Sequence, residues 1–118
     1  MGSDNLKKGR IGEQIACEYI LSRGYQILER NFRLKTGEID IIATKDNLLV
    51  IIEVKSRSNI NYGYPYESVN KKKQDKIIKT ALYYVKLHCL KNAQLRFDII
   101  EVYLGKENKI NHYKNAFM

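Results

Sequence analysis

One proline, two cysteines and no tryptophan are what this chain of 118 residues has least of. Cys17 and Cys89 are too few and too far apart for a disulfide scaffold or a CxxC zinc site, so both read as small apolar residues. Long hydrophobic runs are missing too: stretches such as Leu48–Ile52 are among the longest, which excludes a bilayer-spanning segment. The opening residues, Met1-Gly2-Ser3-Asp4, show no hydrophobic stretch after positive charge, which argues against a secretory signal and for a cytoplasmic protein. There is no repeat, low-complexity tract or linker, and the length suits one domain, residues 1–118.

What is present points to a folded, cation-rich protein. Apolar residues make up 44% of the chain, with nine Tyr and three Phe, enough for a real core. Lys and Arg outnumber Asp and Glu by 21 to 13, a net charge of +8 and a pI near 9.5. A polyanion is the default partner for such a chain. The balance is uneven: residues 1–35 carry +3, 36–54 carry −3, 55–79 carry +5 and 80–118 carry +3. An acidic island between basic stretches is unlike a plain nucleic-acid clamp and marks a place that attracts cations.

The hydrophobic pattern alternates between helix and strand periods. Asp4 to about Arg23 reads as a helix, with Ile11, Ile15 and Tyr19 on one stripe beside Ala16 and Ile20, and Gly24 as its stop. Tyr25–Arg33 reads as a first strand, followed by a turn at Lys35-Thr36-Gly37. Glu38–Thr44 and Leu48–Ser56 form a hairpin across Asp46-Asn47. The segment from Arg57 to Tyr66, with Pro65, reads as a long loop. A second helix is expected from Glu67 or Ser68 to about Leu90, with Ile77, Ala81, Tyr84 and His88 on its stripe. Leu95–Leu104 and Ile110–Tyr113 complete the strands. A helix between strands three and four implies a crossover, so the expected architecture is α/β, a mixed sheet of about five strands flanked by helices.

Alternation in the hairpin sets up the chemistry. It places Glu38, Asp40 and Ile42 on one face, Ile39, Ile41 and Ala43 on the other, and groups Leu49, Ile51, Glu53 and Lys55. A two-residue loop at Asp46-Asn47 sets Asp40 opposite Glu53 and Glu38 opposite Lys55. Like charges held about 5 Å apart are destabilising, so the two carboxylates need a shared proton or a cation. A cation is the favoured resolution at neutral pH, and hard oxygen ligands select magnesium, manganese or calcium. Lys55 points to the same place, an arrangement suited to phosphodiester hydrolysis. Glu13, on a helix face expected to meet the sheet, is a further ligand candidate, with capping or pairing to Lys8 or Arg10 as its alternative. Glu38–Lys55 taken alone is an ordinary cross-strand pair, and Arg96–Asp98 reads as a structural same-face pair. His88 and His112 are isolated, and no role follows for either.

Lys71, Lys72, Lys73, Lys76 and Lys79 crowd the start of the second helix, where cations oppose the dipole. Phosphate contact explains them, and Tyr62, Tyr64 and Tyr66 in the loop before it are placed to stack on unpaired bases. A solvated lysine face with solubilising tyrosines stands as the equal alternative. Arg57, just past Lys55, belongs to the same candidate nucleic-acid surface.

Six segments carry a family resemblance: Gly9-Arg10-Ile11-Gly12-Glu13, Arg30-Asn31-Phe32-Arg33, Gly37-Glu38-Ile39-Asp40, Glu53-Val54-Lys55-Ser56-Arg57, Arg96-Phe97-Asp98 and Asn115-Ala116-Phe117. Together, and in this order, they resemble the YraN family of small, largely uncharacterised bacterial proteins. That resemblance implies the PD-(D/E)XK nuclease superfamily and a restriction-endonuclease-like core similar to that of archaeal Holliday junction resolvases. Asp40 then matches the motif aspartate, Glu53 the second acid, Lys55 the lysine and Glu13 the helical glutamate. Ile39 stands where many superfamily members carry proline.

The function expected is a magnesium- or manganese-dependent endonuclease acting on DNA, at branched or single-stranded structures, through Glu13, Asp40, Glu53 and Lys55. The competing reading is a nucleic-acid-binding module that keeps the acidic cluster without useful turnover, and RNA is a third outcome. Symmetric cutting of a junction would call for a homodimer. No membrane partner is expected.

Overall fold

The computed structural model describes residues 2–58 and 69–118, with side chains from residue 6 onward. Its elements are α1 (Gly2–Ser22), β1 (Gln26–Leu34), β2 (Gly37–Lys45), β3 (Leu48–Arg57), α2 (Lys71–Leu87), β4 (Gln94–Tyr103) and β5 (Lys109–Tyr113). The five strands lie in one sheet in sequence order. β3 and β4 are parallel, and every other neighbouring pair is antiparallel. This is the mixed, helix-flanked sheet expected from the sequence, and it is compatible with a restriction-endonuclease-like core. Tyr62, Tyr64, Tyr66, Pro65 and the expected helix start at Glu67 or Ser68 lie outside the described residues.

Each helix covers one face of the sheet. Ala16, Cys17 and Ile20 of α1 pack on Ile41, Ala43, Val50, Ile52, Ile100 and Val102. Ile77, Ala81 and Tyr84 of α2 pack on Ile39, Ile42, Leu49, Ile51, Phe97 and Ile99. Burying Ile, Leu and Phe side chains contributes about 1.5–3 kcal/mol each, so these two layers hold the sheet between the helices. The buried line of α1 is Gly12, Ala16, Cys17 and Ile20, so the expected Ala16 and Ile20 are in place; Ile15 and Tyr19 of the expected stripe pack in part, and Ile11 is exposed. A small-residue line lets the helix axis come close to β3.

Both helices stop by the same device. Gly24 takes φ 89°, and Tyr25 N–H donates to Ile20 O, the wrapped ending that a left-handed residue permits. At the end of α2 it is Cys89 that takes φ 54°, with Leu90 N–H donating to Val85 O. The second helix therefore ends at Leu87, short of the expected Leu90. His88 is its exposed cap rather than part of the apolar stripe, and Cys89 is exposed, unlike buried Cys17. At the other end, Asn70 Oδ1 accepts Lys73 N–H at 2.9 Å and fixes the first turn. Among the described residues, no helix is long and apolar enough to cross a membrane.

The β2–β3 hairpin turns at Asp46 and Asn47, with φ 50° and 65°, the left-handed pair that Asp and Asn tolerate. The register runs as the two-residue loop dictates, from Lys45–Leu48 up to Ile41–Ile52. There it stops. Ile39 packs with Ile42 on the α2 side, whereas Ile41 and Ala43 face α1, so strict alternation fails at Asp40. The physical reason is a hydrogen bond: Asp40 Oδ2 accepts Val54 N–H at 2.8 Å, a carboxylate taking the place of a strand carbonyl. β2 rotates at that residue and parts from β3.

Candidate active site

The parting of β2 from β3 opens the sheet beside the N-terminal part of α2 and the N-terminal half of α1. Asp40 sits at the opening. It lines a cleft of about 730 Å³ against α1 and a second of about 400 Å³ against α2. The first also takes in Lys8, Arg10, Glu13, Arg30, Arg33 and Lys55. The second takes in Glu38, Glu53, Lys72, Lys73 and Lys76. A basic cleft and one whose lysines and carboxylates balance thus meet at Glu38 and Asp40.

The carboxylates do not face each other as an ordinary cross-strand pair, but they remain electrostatic neighbours. Burial, and then the Glu53 charge, push the Asp40 carboxyl up to about 7 against the pull of the Val54 N–H. Glu53 is 6% exposed and its Oε1 meets two ammonium groups, Lys73 Nζ at 2.8 Å and Lys55 Nζ at 3.6 Å. Burial lowers the pKa of Lys55 despite the nearby Glu53. Burial is the largest single effect on Lys73 and acts to lower its pKa, but the bond to Glu53 and the Glu53 and Asp40 charges together outweigh it and raise it. The expected Glu38–Lys55 pair does not form: Glu38 meets Arg33 of β1 at 3.3 Å, and Lys55 turns to Glu53.

Glu13 reaches the opening from α1, though its partners differ from those anticipated. Its Oε1 accepts Asn31 Nδ2 at 2.9 Å and lies 3.5 Å from Arg30 Nε, in place of Arg10 or Lys8. Asn31 lies opposite Asp40 by the register of its neighbours and takes φ 53°, a left-handed kink inside β1. Asn tolerates that conformation and is depleted from regular strands, a signal that could have singled it out from sequence. Gly12 lets α1 approach: a Cβ there would lie 1.8 Å from Ser56 Oγ, next to Lys55.

Other residues of the expected nucleic-acid surface divide. Lys72, Lys73 and Lys76 line the second cleft, and Lys71 is taken up by Asp75 at 2.9 Å. Arg57 is 18% exposed and its Nε lies 3.5 Å from the buried Glu101, so it is committed to the interior. Lys8, Arg10, Arg30 and Arg33 line the first cleft together, a grouping hidden in the sequence because their positions are scattered over α1 and β1. Asp98 is fully buried and accepts two bonds from Arg96, at 2.9 and 2.8 Å, as a structural pair should. It is also bonded to His112 Nε2 at 2.7 Å and accepts Asn115 N–H at 3.0 Å, giving His112 a structural role.

Hard oxygen donors at Asp40 and Glu53 suit a cation of the magnesium class, which is commonly held by one or two carboxylates with water and substrate phosphate. Among the described residues, no group of three or more His, Cys, Asp or Glu side chains converges to hold an ion. The donor set present is therefore the pair, with Glu13 across the cleft.

Residues 12–102 match the family described as "Uncharacterised protein family UPF0102". A UPF0102 protein of Clostridioides difficile is 55% identical over 114 residues, covering 97% of this chain and 99% of the relative. One from Persephonella marina is 52% identical over 110 residues, covering 93% and 92%. Among solved structures, SfsA of Pyrococcus furiosus in complex with Ca²⁺ is similar at a TM-score of 0.37 and 14% identity, covering 93% of this chain and 63% of that one.

Proposed function

This chain belongs to the uncharacterised protein family UPF0102, and we propose that it is a magnesium- or manganese-dependent endonuclease acting on DNA. One observation carries the reading. Two carboxylates of opposed strands, Asp40 and Glu53, lie with Lys55 where the sheet opens between two clefts that each carry lysine or arginine side chains. The superfamily motif proposed for Asp40, Glu53 and Lys55 agrees with that arrangement.

A divalent cation at Asp40 and Glu53 would supply Lewis acidity to the scissile phosphate and lower the pKa of the attacking water. The chain's own groups do the rest. The Val54 N–H holds the Asp40 carboxylate in one orientation. Lys55 is placed to orient the attacking water or to offset charge developing on the phosphate. Asn31 holds Glu13 across the cleft, where it is placed to add a ligand to the cation or to position a water. Lys8, Arg10, Arg30 and Arg33 on one side, and Lys72 and Lys76 on the other, can hold the flanking phosphates of a strand laid across the opening.

A binding module of the same fold, without turnover, has one observation in its favour: Lys73 already neutralises Glu53, so the fold stands without a metal. Cleavage separates the two. Branched, single-stranded and duplex DNA are incubated with Mg²⁺ or Mn²⁺ and wild-type protein, Asp40→Ala or Lys55→Ala, with an RNA panel alongside. The nuclease reading expects wild type to cut and each variant to lose roughly 100-fold or more. Tight binding by wild type with no more cutting than the variants establishes the binding module instead.

A further inference from the structure

We infer that Lys73 is a built-in counter-ion: its ammonium holds the Glu53 carboxylate in the metal-free protein and must be displaced before a divalent cation can bind there. The inference rests on the reading of Asp40 and Glu53 as a cation site. It assigns a role to a residue of α2 that lies outside the Asp40, Glu53 and Lys55 motif.

The first ground is geometric. Lys73 Nζ lies 2.8 Å from Glu53 Oε1, a short charge-assisted bond, while Lys55 lies 3.6 Å from the same oxygen. A cation bound through that oxygen and an ammonium bonded to it compete for one position. Lys55 is fixed to β3 two residues beyond Glu53, whereas the Lys73 side chain is 45% exposed and can swing outward. Its backbone stays put, because Asn70 Oδ1 bonds the Lys73 N–H and not its side chain.

The second ground is that helix stability does not call for this lysine. Three residues past the cap, helices favour a carboxylate, and a cation there opposes the dipole. Lys71 answers the same problem by pairing with Asp75 four residues on. Lys73 instead reaches across to the sheet.

The third ground is charge. Asp40, Glu53, Lys55 and Lys73 sum formally to zero, so a divalent cation added with Lys73 in place would leave the site doubly positive. A phosphodiester resolves this: as the cation takes Glu53, the released ammonium finds a phosphate oxygen in the second cleft, which Lys73 lines with Lys72 and Lys76. Cation and nucleic acid then favour each other's binding, and either alone is taken up weakly.

The test is calorimetric titration of Mn²⁺ into the full-length protein without nucleic acid. Wild type is compared with Lys73→Met and Lys73→Gln, with Lys76→Met as a control that removes the same charge from the same cleft without touching Glu53, and with Asp40→Asn. Lys73→Met and Lys73→Gln should bind Mn²⁺ about tenfold tighter than wild type, and Lys76→Met within about twofold of it, since a hydrogen-bonded charge pair is worth more than a distant charge. If wild type takes up Mn²⁺ through Asp40 but the Lys73 variants bind no tighter, or Lys76→Met tightens binding as much, the counter-ion role is wrong and the cation site stands. If no variant takes up Mn²⁺, the cation site falls and this role with it.

Discussion

At the scale of single residues, the site depends on one side chain that behaves as backbone. By accepting Val54 N–H, Asp40 ends a regular ladder and turns its own carboxyl toward two clefts. Its position carries a consequence for pH. Its folded pKa of about 7 lies above its ordinary 3.8, so between those values the native carboxyl keeps a proton that the unfolded chain has released. Stability of the metal-free protein should therefore decline as pH rises from about 4 to about 7. Thermal melts in chelator should show this decline in wild type and its absence in Asp40→Asn, which should melt roughly 4 °C or more above wild type at pH 8. A flat wild-type profile would mean that the two carboxylates are too far apart or too well solvated to interact. The candidacy of Asp40, Glu53 and Lys55 was legible from alternation and loop length. So was the approach of Lys55 to Glu53 on one face; that Glu38 would choose Arg33 over Lys55 was not, because a cross-strand count assumes a regular ladder and this one parts at Asp40.

At the scale of elements, the approach of α1 to β3 positions Glu13 against the opening. Gly12 is the point of contact, with no room for a methyl group against Ser56. Gly12→Ala should shift α1 outward and cost about 1–3 kcal/mol by overpacking, which outweighs the gain in helix propensity. Denaturant melts and cleavage assays on this variant should both fall, and a variant as stable and active as wild type would show that α1 approaches from elsewhere. Sequence periodicity located α1 and set Ala16 and Ile20 on a small, apolar stripe toward the sheet, but gave the main stripe to Ile11, Ile15 and Tyr19. The fully buried line is Gly12, Ala16, Cys17 and Ile20, whose small residues bring the helix close, while Ile15 and Tyr19 pack in part and Ile11 is exposed. The end of α2 escaped for a similar reason: Cys89 occupies a left-handed position for which Gly or Asn is the usual signal.

At the scale of the whole molecule, a buried polar cluster ties the C-terminal segment to the sheet while lysines and arginines line the two clefts. Burial pushes the Asp98 pKa up, but His112, Arg96 and the Asn115 N–H together pull it below its ordinary 3.8. Its stabilisation is thus present above about pH 4 and is lost as pH falls through the lower folded value. Asp98→Ala should cost about 3–5 kcal/mol at neutral pH, read from urea melts, because Arg96 and His112 lose their buried partner. A loss under about 1 kcal/mol would mean that the cluster is solvated. If the two clefts grip phosphates, DNA affinity should fall steeply with salt, and Arg33→Ala or Lys72→Ala should each lower the slope of log K against log[salt] by roughly one. An unchanged slope in both would place the nucleic acid elsewhere. The order of helices and strands, the mixed sheet, the hairpin register from Lys45–Leu48 to Ile41–Ile52 and the pairing of Arg96 with Asp98 were determined by the sequence alone, because period, turn residues and the attraction of opposite charges act between neighbours. Only the tertiary structure decided that Lys73 would sit on Glu53, that Asn31 would hold Glu13 and that His112 would join Asp98. Those contacts join elements whose separation in space depends on helix packing and on a kink at one aspartate, quantities that no local pattern encodes.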